Sequence, residues 1–187
     1  MTHAPLILLA LILLAMIARR ALSFGAQRPR DYRGTGPAID LRRSLNGPLT
    51  CEGVIFGPAG RVTSRFTARM HGAWDGASGR LSESFLYSTG ARQDRAWDLR
   101  LGEDGRFSAT AADVIGVARG EVSGAAIRMT YRLRLPADAG GHVLSVTDWL
   151  YLGENGTILN RSEMRKFGIK VAELFAVMRP ATATASN

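Results

Sequence analysis

Four charged side chains fall where apolar ones are expected. Glu83 sits between Leu81 and Phe85, and Arg95 precedes Trp97, each on the parity of its apolar neighbours. Asp113 follows Phe107, Ala109 and Ala111 at every second position, and Asp148 shares its parity with Leu144, Val146, Leu150 and Leu152. Asn160 and Lys166 alternate in the same way with Ile158, Ser162 and Met164. In a strand every second side chain points to the same side, so these groups share the face that the apolar residues mark as inner. A charge on an inner face must be paired, or its pKa shifts until it is neutral. Such groups suit two kinds of chemistry. They hold the polar end of an otherwise apolar ligand, or a desolvated carboxylate among them moves a proton. A plainer alternative is that they cap strand ends, pair with Arg119 or Arg132, and close the bottom of a barrel. The candidate ligand-binding set is Glu83, Arg95, Trp97, Asp113, Asp148 and its neighbour Trp149, Asn160 and Lys166, with Glu83, Arg95 and Lys166 at the polar end.

Other chemistries find no support. The histidines, His3, His71 and His142, and the single cysteine, Cys51, have no metal-ligand spacing. His71 lies on the polar face of its strand and His142 opens another, which reads as surface. No set of nucleophile, base and orienting group can be assembled, so no catalytic residue is named and no cofactor or metal is expected. The glycines Gly116, Gly120 and Gly124 in "GVARGEVSG" form no nucleotide loop, because the strand before and the helix after are missing. They read as bulges and bends between strands.

The elements that must position these residues are strands. "RVTSRFTARMHGAW" places Val62, Phe66, Ala68, Met70 and Trp74 on one face and Arg61, Thr63, Arg65, Thr67, Arg69 and His71 on the other. The theme repeats to the end of the chain, with the turn signals "GPAG", "DGASG", "STGA", "GEDG", "ADAGG" and "GENG" between segments. Nine strands are expected, near 49–56, 61–74, 80–88, 93–101, 106–114, 122–135, 142–152, 157–164 and 169–178. A hairpin around "STGA" would set Glu83 beside Arg95 as a buried ion pair. Arg161, Glu163 and Arg165 share the outer parity and read as solvated. The fold class is all-β, an antiparallel meander of about eight to ten strands. Closure into a barrel hides its edges and apolar face and leaves room for one small ligand. One short helix, "DLRRSLNG", precedes the strands, with Asp40 as N-cap and Gly47 as stop.

The chain of 187 residues divides into an apolar anchor or signal segment over 1–20, a basic linker over 21–38, the barrel over 39–179 and a disordered tail over 180–187. "PLILLALILLAMIA" reads as an uncleaved anchor helix, with a cleaved signal peptide second. The net charge of +8 is concentrated beside it: Arg19, Arg20, Arg28, Arg30, Arg33, Arg42 and Arg43 face only Asp31 and Asp40 over 19–43. That placement suits anionic lipid headgroups. No basic stripe with interleaved aromatics appears, so nucleic acid is not an expected partner.

The motifs "GTGPAIDLRRSLNGPL", "GAWDG", "ESFLYS", "ADVIGVARGEVSGAA", "RLRLP", "DWLYL" and "LNRSEMRKFGIKVAE" resemble a bacterial family known as domain of unknown function 3833, over about Gly34 to Glu173. The resemblance implies a lipocalin-like barrel and an envelope-associated protein, many members being lipoproteins. It carries no catalytic set. This chain lacks the lipidated cysteine of that pattern, so the expected location is the bacterial inner membrane through the N-terminal anchor, with its side open. The first functional reading is a membrane-associated barrel that binds or carries a hydrophobic or amphipathic molecule such as a fatty acid or other lipid. The alternatives are an isomerase- or hydratase-type enzyme acting on a lipid-like substrate through an interior Asp or Glu, and a non-catalytic scaffold of a membrane complex.

Overall fold

The structure, a computed structural model, describes residues 4–181. Residues 182–187, most of the expected tail, lie outside the described residues. Ten antiparallel strands form one closed barrel: β1 (Gly47–Phe56), β2 (Val62–Asp75), β3 (Ser78–Tyr87), β4 (Arg92–Leu101), β5 (Arg106–Thr110), β6 (Ala118–Ser123), β7 (Ala126–Arg134), β8 (Val143–Leu152), β9 (Ile158–Lys166) and β10 (Ile169–Pro180). Each pairs with its neighbour in sequence, and β1 pairs with β10 from Leu49 opposite Pro180 to Phe56 opposite Glu173. Closure leaves no strand edge. The alternation in β2 is the reason the wall has two faces: Phe66, Ala68 and Met70 are buried while Arg65, Thr67, Arg69 and His71 are exposed.

The expected segment 122–135 is really the end of one strand and the whole of the next. Gly124, at φ +54°, makes the turn between β6 and β7, a backbone region that side chains disfavour. The stretch around Gly116–Gly124, expected to hold only bends, is largely strand β6. There Gly120 lies under the Phe107 ring, where a Cβ would come within 2.0 Å of it. The expected strand 106–114 stops at Thr110, so Asp113 belongs to the β5–β6 connection.

The short helix is α2 (Leu41–Ser44), counting α1 (Ala4–Ala21) before it. The Asp40 carboxylate accepts from the backbone N–H of Arg42 at 2.8 Å and of Arg43 at 3.3 Å. Ile39, Leu41 and Leu45 are buried against the barrel interior, so α2 plugs the end where β1 begins and β2 ends. Trp74 Nε1 donates to the Leu45 carbonyl at 2.8 Å, and the absent side chain of Gly72 makes room for that carbonyl: a Cβ there would lie 1.9 Å from it. Gly72→Ala is therefore expected to lose about 1–3 kcal/mol of stability, measured by urea unfolding, because it displaces backbone rather than a flexible side chain.

The N-terminal anchor is corrected. Helix α1 carries exposed Leu and Ile side chains, but no helix among the described residues is long and apolar enough to cross a membrane. The apolar run Pro5–Ala18 rises about 21 Å as a helix, short of a hydrocarbon core of about 30 Å, before the Arg pair interrupts it. With the anchor goes the expected location at the inner membrane.

The basic linker is fastened to the outer wall. Two 3₁₀ turns, Phe24–Ala26 and Pro29–Tyr32, run over β7, β8 and β9. Gln27 Oε1 accepts from the hydroxyls of Tyr32 and, at 2.7 Å, Tyr151. Phe24 lies under the Arg161 guanidinium at 4.3 Å, Ile39 N–H donates to the Gly124 carbonyl at 2.9 Å, and Ala125 N–H donates to Thr35 Oγ1 at 3.1 Å.

Candidate functional site

Ten strands make a wider barrel than eight, and the interior is not filled by side chains. A cavity of about 410 Å³ runs from Leu41 and Leu45 of the α2 plug toward the opposite end, where Leu135, Pro136 and Met164 stand. Its wall is mainly apolar and includes Phe66, Met70, Trp97, Phe107, Ile127 and Met129.

Six of the eight candidates line it: Glu83, Arg95, Trp97, Asp113, Asp148 and Asn160. Glu83 on β3 stands directly opposite Arg95 on β4. Arg95 Nη1 is 3.5 Å from Glu83 Oε2, and Nη2 is 2.9 Å from Asp113 Oδ1. The same guanidinium lies over the Trp97 ring at 4.6 Å. The Asp113 partner is therefore Arg95, not Arg119 or Arg132. Asp148 reaches the same region from β8, with the Tyr131 and Ser162 hydroxyls beside it. Ser162 donates to Asn160 Oδ1 at 3.3 Å, and Asn160 Nδ2 donates to the Trp149 carbonyl at 3.1 Å.

The other two candidates lie elsewhere. Trp149 points outward from β8 and is 1 % exposed because the fastened segment covers it, with Tyr32 at 5.2 Å and Tyr151 stacked at 6.0 Å. Lys166, the last residue of β9, is at the rim, its Nζ 3.0 Å from His142 Nδ1. Glu163 also departs from expectation. It is buried on the outer wall, and Arg165 Nε donates to its carboxylate at 2.6 Å. Its cross-strand neighbour Glu173 takes Arg161 at 2.5 Å and Lys170 at 2.9 Å.

Tyr131, Ser162, Tyr87 and Gln93 also line the cavity, the last two joined by a 2.9 Å hydrogen bond, and sequence reasoning did not select them. The signal for Tyr131 was present: a hydroxyl on the inward parity of β7, between Met129 and Leu133.

Burial dominates the electrostatics. It pushes Glu83 from its ordinary value of 4.5 up to about 7; Arg95 opposes this, while Asp148 and Asp113 add to it. Burial also raises Asp148, against the hydroxyls of Ser162 and Tyr131 and the charge of Arg95. Cys51, on the same wall, is pushed up to about 12 by burial and by Glu83 and Glu52, so it stays an unreactive thiol. Glu83 Oε2, Asp148 Oδ1 and Arg95 Nε are buried without a hydrogen-bond partner.

A raised carboxyl stabilises the fold when protonated. The Glu83 contribution is fully present below 4.5 and is lost as pH rises through about 7. Urea unfolding should show stability falling by about 3 kcal/mol across that window in the native chain, a part that Glu83→Gln lacks. Asp148 adds a fall of the same sign in both proteins. Equal slopes in the two would show that Glu83 is ionised throughout.

Similar folds are found among solved structures. Rv2717c from M. tuberculosis is 15% identical, with 79% of this chain and 99% of that chain covered at a TM-score of 0.55. The S-type phycobiliprotein lyase CPES from Guillardia theta is 6% identical, with 76% and 91% covered at a TM-score of 0.53. At these identities the likeness shows the barrel fold alone. A search of curated proteins finds no match. The model of one family, described as Protein of unknown function (DUF3833), matches residues 19–180, and the chain belongs to that family.

Proposed function

We propose that the barrel binds or carries a hydrophobic or amphipathic small molecule of lipid type. The observation that carries this reading is the cavity of about 410 Å³, apolar over most of its wall, with polar atoms that lack a hydrogen-bond partner gathered on one part of it. Small-molecule sites have this composition: an apolar surface that supplies affinity and a few polar groups that fix orientation. A packed interior would have no reason to keep Glu83, Arg95 and Asp148 on its wall, since an apolar replacement of a buried ion pair is often neutral or stabilising. The test is to purify the full chain, extract it with organic solvent and examine the extract by mass spectrometry. A stoichiometric amphipathic compound is expected. An empty extract, together with an interior found packed by crystallography, would refute the proposal.

A second reading is favoured by Glu83 itself. A carboxyl titrating near 7 inside an apolar cavity is poised as a general base for an isomerase- or hydratase-type reaction. It requires that an extracted compound be turned over by the native chain, and that Glu83→Gln bind the compound without turning it over.

A further inference from the structure

We propose, resting on the binding reading, that the polar end of the ligand is a hydrogen-bond donor, an alcohol, phenol or amine, and that the cavity discriminates against carboxylates and other anions. The buried and half-buried part of the wall presents three carboxyl groups, Glu83, Asp113 and Asp148, against one guanidinium, Arg95; the second arginine that lines the cavity, Arg134, ends β7 and is exposed. Both terminal nitrogens of that guanidinium are already directed at carboxyl oxygens, at 3.5 Å and 2.9 Å. An anion arriving here finds the one half-buried cation already paired with two carboxyl groups. It meets instead Glu83 Oε2 and Asp148 Oδ1, two buried oxygens with no hydrogen-bond partner, the first held only by its 3.5 Å ion pair with Arg95. Leaving such atoms unpaired is costly, and a donor on the ligand removes the cost at either of them. The third unpartnered atom, Arg95 Nε, is a donor, and the oxygen of a hydroxyl group accepts from it while its hydrogen serves a carboxyl. Lys166, the cation that would have suited an anionic headgroup, is at the rim against His142 and not on the cavity wall. Among the described residues no group of His, Cys, Asp and Glu could hold a metal ion, so the acidic wall is matched to an organic donor.

Three probes with one chain length separate the possibilities: decan-1-ol, decylamine and decanoate. Each is titrated into the full chain at pH 8, above the point at which Glu83 ionises, and binding is followed through tryptophan fluorescence. The Trp97→Phe chain is the control, since Trp97 lies on the cavity wall and under Arg95. Decan-1-ol and decylamine are expected to bind at least about tenfold more tightly than decanoate, a difference of one decade in Kd. Decanoate binding as tightly as the others, or more tightly, overturns the donor assignment and leaves the cavity reading standing. A signal that survives unchanged in Trp97→Phe places the probes outside the cavity and overturns both, as does the absence of binding by all three.

Discussion

Arg95→Met should destabilise the barrel by about 3–5 kcal/mol near neutral pH, the range for removing one partner of a buried ion pair. The substitution keeps an apolar stem over Trp97 but removes the cation that is paired with Glu83 and Asp113 on the cavity wall. The loss should depend on pH. Arg95 lowers the pKa of both Glu83 and Asp148, so without it each rises further. Neutral carboxyls need no counter-charge. The deficit therefore shrinks as pH falls from 8 toward 5, where Glu83 holds its proton. Urea unfolding of both proteins across that range checks it. A deficit that is the same at both ends would mean that packing, not charge, is what Arg95 supplies. Arg95→Lys should recover only part of the loss, because an ammonium has no planar fork to face two carboxylates at once.

Trp149→Ala should cost a similar amount, about 3–5 kcal/mol, by the different route of a large buried cavity. The indole is 1 % exposed, yet it stands on the outer face of β8. It is the surface on which Tyr32 and Tyr151 rest, and through them the segment that includes Gln27. The variant should unfold at lower urea and should release residues 24–39 to proteolysis before the barrel itself opens. Trp149→Phe should lose less, since Nε1 has no partner to forfeit. Probe binding in the cavity should be unchanged in Trp149→Phe, because the indole is on the other side of the wall. A drop of tenfold or more in that binding would show that the covered outer face and the cavity are coupled.

Helix α1 and the covered wall show where local patterns stop being informative. The run Pro5–Ala18 looks like an anchor by hydropathy, but its length as a helix falls short of a span. Residues 21–38 look like a linker because they are rich in Gly, Pro and Arg, yet Gln27, Tyr32 and Thr35 each find a partner in or beside β8 or the β6–β7 turn. The clue was on β8 rather than in the linker: Trp149 and Tyr151 place two aromatics on the outer face of the wall.

The amino-acid sequence by itself determined most of the strands and turns and, within them, the side of the wall on which most residues lie. A period of two is a local steric property, and a charge that breaks it is visible without a structure. That is why Glu83, Arg95 and Asp148 could be chosen, and why Glu83 and Arg95 could be paired across one hairpin. Only the tertiary structure decided how deep each residue sits and what covers it. Asn160 and Lys166 share one parity on β9, but Asn160 lines the cavity and Lys166 ends at the rim. Asp113 reaches Arg95 from a loop that has no parity at all. Depth, cover and partners from distant loops depend on the register around the closed ring and on what the chain lays over it, and neither is a property of any one strand.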